Sequence, residues 1–197
     1  MRLARLTISN FQSFGERSTT IELEDLTYVL GPNGAGKTAV LQAIVRMFGI
    51  DPNLRRVRRS DFHVALDTAD LSEIDKLVLW IEAEFELPEA GDESTIHSTI
   101  PPSFNHMQLE SNDETPRVRF RLSAILDLDG EIEEKIRYVV QADPGGNPVK
   151  LVDMSKHDRR AIQVHYLPAR RDPSDHVPLP RHLSSVELCV LRIGRQN

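Results

Sequence analysis

With 197 residues, 40% of them hydrophobic, the chain can bury one real core and suits one domain, or one domain with an elaborated subdomain. The net charge of −6 is unevenly spread: residues 1–60 carry nine basic and five acidic side chains, residues 61–149 six and twenty, and residues 150–197 nine and five. A single cysteine, Cys189, excludes an internal disulfide and a cysteine-rich zinc site. The N-terminus lacks a secretory apolar stretch, and no apolar run nears the ~20 residues that span a bilayer, so no membrane partner is expected and a cytoplasmic location is.

Leu3 to Phe11 alternates as a strand, with Leu6 and Ile8 on one face and Arg5 and Thr7 on the other. Thr19 to Leu23 alternates too, and Ser13 to Arg17 reads as the turn between them. Leu26-Thr27-Tyr28-Val29-Leu30 is an apolar, partly β-branched run that predicts a buried parallel strand.

Gly31-Pro32-Asn33-Gly34-Ala35-Gly36-Lys37-Thr38 follows, and it fills the phosphate-loop pattern G-x-x-x-x-G-K-[ST] without a mismatch. Ala39 to Phe48 is rich in helix formers and stops at Gly49, so strand, glycine loop and helix come in the required order. Glycines let successive N–H groups from Asn33 to Thr38 curl into one concavity, and the helix that starts there adds the positive end of its dipole. Gly31, Asn33, Gly34, Ala35, Gly36, Lys37 and Thr38 are therefore the expected nucleotide-binding residues. Lys37 is expected at the β- and γ-phosphates of ATP, and the Thr38 hydroxyl on Mg²⁺.

The strand ending in Asn10-Phe11-Gln12-Ser13-Phe14, the short strand after it and the loop from Gly31 to Thr38 resemble the ABC-type ATPase heads of RecF and SMC proteins and of OLD-family ATP-dependent endonucleases. Arg59-Ser60-Asp61-Phe62-His63 and the stretch from Val164 to Pro173 are similar to OLD-family segments, so the resemblance covers most of residues 1–175. It implies an α/β P-loop NTPase fold, an N-terminal lobe of the ABC/RecF type carrying an antiparallel β-sheet subdomain and stopping short of the C-terminal lobe. It also implies coupling to DNA processing and pairing with a second ATPase lobe or a second copy of the chain. In such heads the segment matching Asn10 to Ser13 lies beside the adenine, which makes Phe11 and Gln12 candidates for base or ribose contact. Phe11 as ordinary core is the competing reading. The alternative to the whole assignment is a stand-alone nucleotide-binding regulatory module with neither nuclease nor DNA-binding activity.

Arg55-Arg56-Val57-Arg58-Arg59 comes next, either a solvated loop or a contact for nucleic-acid phosphates. ABC-type heads carry a glutamine loop downstream of the first helix, and no glutamine occupies that stretch here. Asp61 or His63 is the substitute the sequence offers for sensing Mg²⁺, against Asp61 as a turn or cap residue.

From Leu77 to Leu87 the odd positions are apolar while Glu82, Glu84 and Glu86 share the other face. From Arg117 to Leu128 the even positions are apolar and Arg117, Arg119 and Arg121 share the other face. Cross-strand pairing of the two charged rows is the simpler explanation of both. After Asp129-Gly130, the next strand carries Ile132, Ile136, Tyr138 and Val140 on its apolar face; a two-residue turn would place glutamates there, so a three- or five-residue loop is expected. Ala124 to Asp127 looks like a magnesium-coordinating strand, but Leu128 stands where its glutamate belongs, so that role is rejected. No signature of the Leu-Ser-Gly-Gly type occurs.

Residues 88–116 are polar and contain Pro101-Pro102, and they read as a long mobile insertion. Ala161 to Pro168 reads as a buried strand emptying into a loop with Arg170, Arg171 and Asp172, so that 159–171 forms a second basic segment suited to DNA. The lobe is expected to span residues 1–175, with 176–197 as a short tail, truncated or disordered.

Overall fold

A computed structural model describes residues 1–65, 76–87, 107–109, 115–167 and 188–193. Its centre is a six-stranded antiparallel sheet of β1 (Arg2–Ser9), β2 (Thr19–Glu22), β3 (Lys76–Glu86), β4 (Arg117–Asp127), β5 (Ile132–Ala142) and β6 (Pro148–Asp153). The order across it is β2-β1-β3-β4-β5-β6. Helix α1 (Lys37–Phe48) packs on the apolar face, followed by the short α2 (Pro52–Arg55) and a 3-10 turn at Arg59–Asp61. After the sheet, α3 (Lys156–Ala161) leads into β7 (Ile162–Leu167), which pairs with β8 (Leu188–Ile193).

The period-two pattern sets the sheet register. β3 and β4 run antiparallel with Glu82 opposite Arg121, Glu84 opposite Arg119 and Glu86 opposite Arg117, the pairing expected from the two charged rows. Glu82 takes hydrogen bonds from Arg119 Nε at 2.9 Å and Arg121 Nη1 at 3.0 Å, and Arg117 reaches Glu84 at 3.2 Å. Glu82 and Glu84 are buried beneath these arginines, and Arg121 also lies 4.2 Å above the Trp80 ring. The β4 arginine row is thus committed to holding the sheet.

Phase also fixes the β4–β5 hairpin. Leu126 pairs with Ile132 and Phe120 with Tyr138, which keeps the apolar faces together. Asp127 N donates to Glu131 O at 3.1 Å, closing a three-residue loop in which Gly130 takes the left-handed φ of 80° that the last loop position demands. Asp127 helps close this turn, its exposed carboxylate accepting Glu131 N through Oδ1 at 2.8 Å.

The core lies between this sheet and α1. Phe48 of α1 meets Phe85 and Phe120 edge to face, with ring centroids 5.5–5.8 Å apart around the trio. Leu6, Ile8, Ala43, Met47, Leu79 and Ile81 close round them with essentially no exposure.

Three expectations are corrected. Leu26 to Leu30 forms no strand, and Leu26, Tyr28 and Leu30 are 69%, 75% and 87% exposed. A parallel strand needs a neighbour to satisfy its backbone, and none of the described residues provides one. Within the insertion at 88–116, Met107 is fully buried, Gln108 bridges Val118 and Leu109 N donates to Arg117 O at 2.8 Å, so these three residues belong to the core and sheet. The rest of that insertion, apart from 115–116, lies outside the described residues, as do Arg170, Arg171 and Asp172. Leu188–Ile193, placed in the tail from sequence, is strand β8, with Cys189 opposite Tyr166.

Candidate functional site

The glycine loop and the start of α1 sit together at one end of the helix. Gly34 and Gly36 adopt left-handed φ values of 82° and 86°, which glycine takes without steric cost. Gly36 has a second constraint: a Cβ there would lie 2.7 Å from Ser13 Oγ and 3.3 Å from the Phe14 ring. The turn after β1 thereby forms the floor of the loop, tightened by Phe14 N donating to Phe11 O at 2.8 Å and Asn10 N donating to Gly15 O at 2.8 Å.

Helix α1 begins at Lys37 with Gly36 as N-cap and no side-chain cap. Its first N–H groups have no acceptor inside the helix and carry the positive end of its dipole. Residues 31–35 and Thr38 are exposed, so the concavity opens to solvent. Lys37 Nζ folds back to donate to Gly31 O at 2.7 Å and Pro32 O at 2.8 Å. The arrangement can bind an anion with several oxygens through main-chain N–H groups and one mobile ammonium. A cleft of about 330 Å³ lies elsewhere, with Arg59, Phe62, Leu77 and Leu126 in its lining and none of residues 31–38.

The other expected ligands have different surroundings. Phe11 has no exposure and bridges Phe14 and Phe62 inside the core, so it is not open to a base. Gln12 holds a left-handed φ of 50°. Its Nε2 donates to Gln42 Oε1 at 2.5 Å and Asp61 Oδ1 at 2.9 Å, which spends both amide protons inside the protein. Asp61, expected as a metal ligand, is 1% exposed and accepts Arg46 Nε at 2.7 Å, Arg46 Nη2 at 3.2 Å, Arg58 N at 2.8 Å and the Gln12 amide. Four donors saturate a carboxylate, so the cap reading prevails over the metal reading. His63 Nδ1 donates to Gln12 O at 2.7 Å and steadies the same turn.

These contacts form a buried clasp that was not anticipated. Gln42 and Arg46 on α1 hold Gln12 and Asp61, and Arg46 Nη1 also donates to Leu54 O at 2.6 Å. A sequence signal existed: Arg46 falls in phase with buried Ala39 and Ala43, and an arginine there demands a carboxylate partner. Arg159, within the second basic segment, also has a structural task, donating to Met47 O and Arg46 O, both at 2.8 Å, at the C-terminal end of α1. Burial, aided by the Arg55 charge, pushes its guanidinium down to about 10.

Residues 1–158 match the AAA ATPase domain family. The chain belongs to that family. It is 31% identical over 183 residues to the OLD nuclease of Thermus scotoductus, covering 89% of this chain and 28% of that protein. A 49-residue stretch is 47% identical to the chromosome partition protein Smc of Myxococcus xanthus, covering 25% of this chain and 4% of Smc. The chain thus spans under a third of the length of either relative. Among solved structures, one from work on ATP-driven dimerisation and DNA-stimulated activation of SMC ATPases superposes with a TM-score of 0.43 at 15% identity, covering 76% of this chain and 73% of the other. Taken with the Asn10–Phe14 turn and the phosphate loop, the sequence matches make this AAA-family domain an OLD-like ATPase region of the RecF/SMC type, a P-loop NTPase lobe. Among the described residues no helix is long and apolar enough to cross a membrane.

Proposed function

We propose that this chain is the ATP-binding lobe of an OLD-like, DNA-processing ATPase of the cytoplasm. The observation that carries the reading is the exposed phosphate loop, with two left-handed glycines and an uncapped helix start beside Lys37 and Thr38. On nucleotide entry, Lys37 exchanges the Gly31 and Pro32 carbonyls for phosphate oxygens, while N–H groups from Asn33 to Thr38 hold the β-phosphate. The Thr38 hydroxyl, exposed at the helix start, fits Mg²⁺, which when bound neutralises charge on the phosphates.

The loop is open, and the apolar run just before it is bare at Leu26, Tyr28 and Leu30. Both features suit a lobe that a further polypeptide segment completes, either more of the same protein or a second copy. A DNA partner fits the same reading, with the basic segments 55–59 and 159–171 as the parts suited to its phosphates.

Because binding runs through the β- and γ-phosphates, ATP and ADP should bind with Mg²⁺, and AMP at least ~10-fold more weakly, given about 1.5–3 kcal/mol for each charge-assisted contact. Titration calorimetry with the three nucleotides decides it. AMP binding as tightly as ATP would place recognition on the base and sink the reading.

A further inference from the structure

The sequence offers two arginine runs outside the phosphate loop, and the structure treats them oppositely. Arg117, Arg119 and Arg121 on β4 are paired with Glu82, Glu84 and Glu86. Arg56, Arg58 and Arg59 are exposed and, among the described residues, form no ion pair.

Their loop is nevertheless held firmly. Val57 is buried and its N–H donates to Glu134 Oε2 at 2.8 Å. Arg58 N is bound to Asp61, and Leu54 O accepts Arg46. Three exposed arginine side chains therefore rise from a backbone held at Leu54, Val57 and Arg58. Arg159, the first residue of the second basic segment, meets the same region: it reaches the last turn of α1, whose Arg46 holds Leu54 O, while Glu134 holds Val57 N. Arg159 itself is spent on the C-terminal carbonyls of α1. Arg159 and the start of this loop thus both meet the last turn of α1, whereas Asp61, at the end of the loop, reaches Gln12 in the turn beneath the phosphate loop.

We infer that Arg56, Arg58 and Arg59 form a binding surface for the phosphodiester backbone of duplex DNA, built from residues other than those of the phosphate loop. Guanidinium forks suit phosphate oxygens, and cations on a fixed loop release counterions at little conformational cost. Arg159 positions this surface without touching DNA. The choice of DNA rests on the DNA-processing reading above; the surface itself does not.

The test is fluorescence anisotropy of the full chain with a labelled duplex between about 50 and 200 mM salt. Arg56→Gln/Arg58→Gln/Arg59→Gln is expected to weaken binding at least tenfold at the lower salt and to flatten the log–log salt slope by about 3, one unit per lost phosphate contact. Arg17→Gln/Lys150→Gln, at exposed positions elsewhere, should leave affinity within about twofold of wild type. ATP binding by the triple variant should be unchanged. An unaltered salt slope in the triple variant, absence of duplex binding by wild type at about 50 mM salt, or arginine-dependent binding to anionic vesicles with none to duplex would each overturn the proposal. Arginine-dependent DNA binding in a protein that fails to bind ATP would leave this surface standing and remove the nucleotide reading instead.

Discussion

Replacing Asp61 with alanine is expected to destabilise the fold by about 3–5 kcal/mol, the cost of leaving a buried charge without its partner. The guanidinium of Arg46 is 7% exposed and the Asp61 side chain 1%, so water cannot replace the lost carboxylate. Arg58 N and the Gln12 amide lose an acceptor in the same substitution. Because a domain of this size commonly has about 5–15 kcal/mol in total, the variant should unfold at much lower urea. Asp61→Asn, which keeps an acceptor but not the charge, should fall between wild type and Asp61→Ala. Urea melts of the three proteins decide it, and a loss below about 1 kcal/mol for Asp61→Ala would mean that the clasp does not hold α1 to the turn after β1.

A second large effect concerns turnover. The isolated chain is expected to bind ATP yet hydrolyse it orders of magnitude more slowly than about 1 s⁻¹, near the low end of ordinary enzyme rates. Phosphoryl transfer needs an oriented water and a second protein anchor for Mg²⁺, and a cradle for the phosphates supplies neither. Asp61 is saturated by four donors, Asp127 is held in the β4–β5 turn, and His63 is bound to Gln12 O. Asp61 is therefore unavailable, and Asp127 and His63 are each tied into a turn by one hydrogen bond. A steady-state assay on homogeneous protein, with Lys37→Ala reporting contaminating ATPase, measures this. Turnover near about 1 s⁻¹ that depends on Lys37 would show that this chain completes its own catalytic site.

Local rules carried the reading of the sheet. Alternation in Leu77 to Leu87 and Arg117 to Leu128 fixed which faces are apolar, opposite charge fixed the register, and the phase of Ile132 and Ile136 fixed the loop length. The turn from Gly31 into α1 was legible because its pattern places glycine at 34 and 36, the two positions that adopt a left-handed φ, just before the helix. Features that depend on distant partners were not. Leu26 to Leu30 has the composition of a strand but no neighbour among the described residues, and composition does not reveal the neighbour. The role of Asp61 depended on Arg46, fifteen residues earlier and brought close by the return of the chain beneath α1. Phe11 was ambiguous because a buried ring and a base-stacking ring look alike in sequence; only its complete burial separates them.

The measurement that bears most directly on the nucleotide site is titration calorimetry of Mg·ATP into the wild-type chain and Lys37→Ala. Lys37 is partly exposed, and its contacts in the loop are with the Gly31 and Pro32 carbonyls, so the substitution should leave the fold intact. Affinity should fall roughly 10- to 150-fold, corresponding to a charge-assisted contact of about 1.5–3 kcal/mol. Equal affinity in the two proteins would contradict the assignment of Gly31 to Thr38 as the site that holds the phosphates.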